Sequence, residues 1–259
     1  MVSSPQPIAT RQVDELRVLI FDNGADLGAR AAADLAPILA ESIAARGYAS
    51  LVVATGNSQL QFMEALRARD DVAWNNVYVF HMDEYPGLGT DHPASFRRYI
   101  RQNLTDVVRP RAFFGIEADG SDLDAELHRY TDLLKQYPPD VTVMGIGENG
   151  HLAFNDPPAD FHTAKTIQWV DLDEQCRRQQ LGEGHFPTLE DVPKRALSLT
   201  IPALLAAREV LVIVPERRKA QAVKAALEGP VTPDCPASIL QRQPHARLYL
   251  DRESSSLLA

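Results

Sequence analysis

Cysteine is scarce: the 259 residues include two, Cys176 and Cys235. They stand far apart and lack the close spacing of a zinc ligand set, so we expect reduced thiols and no metal. A chain of this length buries roughly 70–75% of the surface its unfolded form exposes, which removes the need for a disulfide or metal staple. Long apolar runs are missing too. None approaches the ~18 residues of a membrane span, and residues 1–16 are polar, without the apolar centre of a signal peptide. Basic residues are in deficit, 26 Lys and Arg against 35 Asp and Glu, for a net charge of −9. That balance excludes a broad nucleic-acid or anionic-membrane face, which must displace counterions with positive charge. A small anionic ligand stays open, because only its pocket need be positive. Internal repeats and low-complexity tracts are absent. The expectation is a cytoplasmic protein of one α/β domain, residues 17–259, behind a flexible tail of residues 1–16.

What the chain does have is alternation. RVLIF (17–21), LVVA (51–54), VYVF (77–80), RAFFG (111–115), VTVM (141–144) and VLVIV (210–214) are short apolar runs of strand type, with a last one at 247–250. Apolar residues recur at helical spacing between them. Asp26 is the expected cap of the first helix, with Pro37 expected to kink or divide it, and Ser121 is the expected cap of a later one. Such alternation implies βαβ units, a mostly parallel sheet and right-handed crossovers. The pattern is lost over residues 158–192. A polar stretch of that length within a compact domain is expected to be a mobile lid or binding loop, with room for short helices.

Four strand ends carry polar residues of chemical interest. LVVA runs into Thr55, Gly56, Asn57 and Ser58 ahead of a helix, the order that offers backbone N–H groups to a phosphate. Taken alone, this is also how an ordinary strand-to-helix turn reads. VYVF ends in His81-Met82-Asp83-Glu84-Tyr85, which brings a carboxylate to the sheet's carboxyl edge, where open α/β sheets bind ligands. A solvated loop or a helix cap would look the same. VTVM leads into MGIGENGHLAFNDP, whose glycines let backbone approach a ligand and whose Asn149, His151 and Asp156 supply donors, acceptors and a proton carrier. Past VLVIV, Lys219 stands in the first turn of a helix. A cation is unfavourable at a positive helix end, so it hints at a bound anion, although an exposed lysine needs none.

Together, ATGNSQ (54–59), HMDEYPGL (81–88) with HPASF (92–96), GIGENGHLAFNDP (145–157) and RKAQAVKAALEGPVTPDCPAS (218–238) resemble the glucosamine-6-phosphate deaminase/isomerase family, which is related to the 6-phosphogluconolactonases. The resemblance runs from about residue 20 to residue 251. It implies a single-domain, modified Rossmann-like three-layer α/β sandwich with a mostly parallel central sheet and a lid. It also implies an enzyme that needs no cofactor, acts on a small-molecule sugar phosphate, and converts an aminosugar phosphate and water into a ketose phosphate and ammonia. Asp83 would be the base that moves a proton between C2 and C1, His151 would assist ring opening, and Asn149 and Asp156 would orient it. Thr55, Gly56, Asn57, Ser58 and Lys219 match the family's phosphate contacts.

The chain departs from the family at four places. Members place an aspartate where this chain has Asn149 and a glutamate where it has Asp156. The serine- and arginine-rich run of the allosteric hexamers has no counterpart in residues 157–168, so activation by an N-acetylated sugar phosphate is not expected, and a homo-oligomer remains compatible with the sequence. The lid arginine that helps to grip phosphate has only Arg177, Arg178 or His185 as candidates. Two rival readings are a 6-phosphogluconolactonase-like hydrolase and a non-catalytic sugar-phosphate sensor domain.

Overall fold

The computed structural model describes residues 4–184 and 186–259. Among the described residues eleven strands follow one another: β1 (Ala9–Val13), β2 (Leu16–Phe21), β3 (Ala49–Val53), β4 (Val77–His81), β5 (Asp83–Glu84), β6 (Ala112–Phe114), β7 (Val141–Met144), β8 (Ile167–Asp171), β9 (Arg195–Leu199), β10 (Glu209–Val214) and β11 (Ala246–Asp251). Eight form one sheet in the order β1-β2-β11-β10-β7-β3-β4-β6, and β5-β9-β8 form a second. Every pairing in the large sheet is parallel except β1 with β2.

Continuous apolar runs suit a sheet covered on both faces. Because side chains alternate across a strand, Val210, Val212 and Val214 of β10 enter one core while Leu211 and Ile213 enter the other. Helices Gly24–Arg46 and Leu60–Arg67 cover the second face. Helices Leu123–Gln136 and Ala220–Glu228 cover the first, which completes the three layers. Among the described residues no helix is long and apolar enough to cross a membrane.

Several expectations change. Residues 9–13, assigned to a loose tail, form the antiparallel edge strand β1, and fully buried Leu16 opens β2. The polar sequence of β1 hid it, since an edge strand is held by backbone pairing and needs little apolar side chain. Asn23, not Asp26, caps the first helix by accepting from the Asp26 N–H, and that helix runs unbroken through Pro37. Asp122, not Ser121, caps helix Leu123–Gln136. Residues 158–192 contain β8 and helix Glu174–Gly182, whose single buried residue, Cys176, explains the missing periodicity.

Candidate active site

From β3 the chain moves outward to β4 and β6 on one side, then returns to β7 and continues to β10 and β11 on the other. The order therefore reverses between β3 and β7, and the crevice at the carboxyl ends of such strands is where open α/β sheets bind ligands. A cleft of about 520 Å³ lies there, lined by the segments that leave β3, β4, β7 and β10 and by helix Glu174–Gly182.

Beyond β4 the backbone turns into the second sheet. Asp83 and Glu84 pair with Ser198 and Leu197 of β9, and the Leu199 N–H donates to the Met82 carbonyl, which fixes the Asp83 backbone against β9. The two carboxylates then diverge. Glu84 is fully buried and accepts from the N–H groups of Tyr85, Phe96 and Arg97 at 2.9–3.0 Å and from the Ser95 hydroxyl at 3.0 Å, anchoring the start of helix Phe96–Ile100. Asp83 lines the cleft, is 6% exposed, and among the described residues its Oδ1 has no hydrogen-bond partner. Burial, with the Glu84 charge adding to it, pushes the Asp83 carboxyl well above the usual carboxylate range. It is the carboxylate of this pair with basicity to spare.

The turn after β7 builds a hydrogen-bonded group of His151, Asp156 and Asn149. His151 Nδ1 donates to Asp156 Oδ1 at 3.0 Å, so the shorter aspartate reaches the imidazole. Burial raises the Asp156 carboxyl, but hydrogen bonds from His151, Asn149 and the Asp173 N–H outweigh it and hold it below its ordinary value. An ionised carboxylate only accepts, so Nδ1 carries the proton and Nε2 is the basic nitrogen in the cleft. Asn149 donates to Asp156 and to Asp173, each at 2.8 Å, and accepts from the His151 N–H. Here the amide bridges two carboxylates, which an aspartate at this position would repel. Gly147 lies under the imidazole, and a Cβ there would come within 2.2 Å of Nε2. Gly147→Ala is therefore expected to swing the ring away from Asp156 and to lower kcat about tenfold or more, as turnover measurements will show.

The turn after β3 is shaped by a glycine. Gly56 adopts φ +97, a left-handed conformation open to glycine, and leads through Asn57–Gln59 into helix Leu60–Arg67. Thr55, Gly56 and Ser58 line the cleft, and Lys219 of the segment after β10 joins them. Lys219 is 3% exposed, and among the described residues no hydrogen bond or ion pair engages its ammonium. Burial, then the adjacent Arg218 charge, lowers it to about 8.

Gln179, Gln180 and Glu183 of the cleft lining, and Asp173, which accepts from Asn149, come from the stretch 158–192, whose sequence signals only a polar loop. Arg177 of the candidate lid cations is tied to the carbonyls of Leu189 and Val192, and Arg178 to Glu174, so neither enters the cleft; His185 lies outside the described residues. One ligand atom each from His151, Asp156 and Cys176 lies within 4.8 Å of the others. Burial, and then the Asp156 and Asp173 carboxylates, push the Cys176 thiol up, so it is a poor metal ligand.

Comparison with known proteins identifies relatives of the chain. Residues 22–250 match the family described as glucosamine-6-phosphate isomerases/6-phosphogluconolactonase. The glucosamine-6-phosphate deaminase of Exiguobacterium sibiricum is 38% identical over 207 residues, 80% of each chain. That of Lactobacillus delbrueckii subsp. bulgaricus is 31% identical over 243 residues, 94% of this chain and all of the other. A solved monomeric glucosamine-6-phosphate deaminase superposes with a TM-score of 0.85 at 30% identity, covering 93% of this chain and 99% of that one. A 6-phosphogluconolactonase from Shewanella baltica, 23% identical, shares the fold with a TM-score of 0.76 over 93% of this chain and 98% of its own. The chain belongs to the glucosamine-6-phosphate isomerase/6-phosphogluconolactonase family.

Proposed function

We propose that the chain is an aminosugar-phosphate deaminase that converts glucosamine 6-phosphate and water into fructose 6-phosphate and ammonia. The observation that carries this reading is Asp83: a buried carboxylate with one oxygen unpartnered among the described residues, in the same cleft as the His151–Asp156 pair and the Lys219 anion loop. Lys219 and the loop of Thr55, Gly56, Asn57 and Ser58 hold the 6-phosphate. His151 Nε2 takes the proton of the anomeric hydroxyl and returns one to the ring oxygen, which opens the sugar. Asp83 removes the C2 proton next to the newly freed carbonyl and delivers it to C1. Water then adds at C2 as ammonia leaves. A carboxylate kept out of water suits proton removal from carbon, because burial brings its basicity toward the working pH.

Lactone hydrolysis requires no proton transfer between carbons, and a sensor has no use for a desolvated, unpartnered carboxylate. The test is a panel of glucosamine 6-phosphate, other aminosugar 6-phosphates and 6-phosphogluconolactone, following ammonia and acid release. Fast lactone hydrolysis without ammonia would refute the proposal. Lys219→Met is expected to raise KM for the phosphorylated sugar by roughly 10–100-fold, the cost of one hydrogen bond to a charged group. In the parent, kcat/KM should fall as pH rises through about 8, where Lys219 loses its proton. A pH profile of both proteins checks this.

A further inference from the structure

Helix Glu174–Gly182 is fastened over the cleft by two side-chain acceptors. Gln179 Oε1 accepts from the Glu148 N–H at 2.9 Å, and the Glu183 carboxylate, just past the helix end, accepts from the Asn57 N–H at 2.8 Å. The second contact sets a negative charge on the loop that would receive a phosphate. Arg218 Nη2 stands 3.5 Å from the same carboxylate, while its other nitrogens face Glu148 at 3.5 Å and pair with Glu216. The Glu183 side chain is 6% exposed, so its charge is compensated by this N–H and this guanidinium more than by water. Lys219, the next residue along the chain from Arg218, is buried beside them.

We propose that Glu183 is a built-in competitor for the phosphate subsite and that Arg218 is that subsite's second cation, taking the part of a lid arginine. The proposal rests on the sugar-phosphate reading above. Charge balance is the reason. Lys219 and Arg218 face the carboxylates of Glu148, Glu183 and Glu216, so the cluster already carries a net negative charge before any ligand enters. A phosphate dianion beside Glu183 would add like charge at short range in a partly dry site, so phosphate enters only as Glu183 leaves. Its departure frees the Asn57 N–H and lets the planar guanidinium of Arg218 turn both terminal nitrogens to phosphate oxygens. Because Glu183 terminates the helix, phosphate binding and release of helix Glu174–Gly182 become one linked equilibrium, and the phosphate affinity observed is reduced by the fraction of molecules in which Glu183 is seated.

The test is titration calorimetry of inorganic phosphate into the full chain at pH 7.5, using the parent, Glu183→Gln and Arg218→Gln. Glu183→Gln keeps the shape and removes the charge, so phosphate is expected to bind about 5–20-fold more tightly; Arg218→Gln should weaken binding at least about tenfold. Unchanged, weaker or undetectable phosphate binding by Glu183→Gln overturns the proposal, as does parental affinity in Arg218→Gln. If Glu183→Gln does not fold, Glu183→Asp, whose shorter side chain withdraws the carboxylate from Asn57, must show the same tightening. The readout is independent of turnover. Predicted affinity changes without ammonia release would refute the deaminase reading alone, and ammonia release with unchanged affinities would refute this proposal alone.

Discussion

Asp83→Asn is expected to lower kcat for ammonia release by roughly 10²–10⁴-fold and, at neutral pH, to raise the melting temperature. The two effects share a cause. In the folded chain burial makes the Asp83 charge costly, and Oδ1 receives no hydrogen bond to offset it. Its folded pKa therefore lies above its unfolded one. Between the two values the folded state holds more protons than the unfolded state, so stability falls as pH rises through that window. An amide of the same shape carries no charge and removes this pH-dependent loss, but it cannot accept a proton from carbon. Melting curves of parent and variant from pH 4 to 8 should diverge as pH rises, with the variant the more stable. A variant that is both inactive and less stable at neutral pH would show Asp83 to be structural, as Glu84 is.

Asp156→Asn should act with the opposite sign on stability and lower kcat by roughly 10²-fold. Asp156 accepts from His151, Asn149 and the Asp173 N–H, which together hold its carboxyl below the ordinary value. Its contribution to stability is present above the unfolded carboxylate pKa and is lost as pH falls through the lower folded value. The variant forfeits that contribution at neutral pH, by about 1–3 kcal/mol for charge-accepting hydrogen bonds left poorly matched. Catalysis suffers because an amide can present N–H to Nδ1 and favour the tautomer that protonates Nε2, the nitrogen needed as base. Calorimetric unfolding with steady-state rates on one preparation checks both halves.

The parallel sheet was legible because its strands are buried on both faces and read as unbroken apolar runs, VLVIV most plainly. The four loops of the cleft were legible for a related reason: each follows one of those runs at its carboxyl end. Which of two adjacent carboxylates faces the cleft was not legible. That is decided by the backbone N–H groups of Phe96 and Arg97, which reach back to Glu84 across more than ten residues and leave Asp83 unpartnered. The substitution at Asn149 looked like a loss of charge beside His151. In the fold, Asp173 from the segment after β8 stands against Asn149, and an amide is what can serve two carboxylates at once. Asp173, Gln179 and Glu183 escaped the sequence reading because their helix docks through side-chain acceptors rather than an apolar face, so no periodicity marks it.

The most direct test of Asp83 as the proton carrier between C2 and C1 is the fate of a label in glucosamine 6-phosphate carrying deuterium at C2. Transfer through a carboxylate predicts ammonia release with the deuterium divided between C1 of fructose 6-phosphate and solvent, and both product formation and label loss slowed together by roughly 10²–10⁴-fold in Asp83→Asn. Deuterium carried wholly to C1 at equal rates in parent and variant would contradict it.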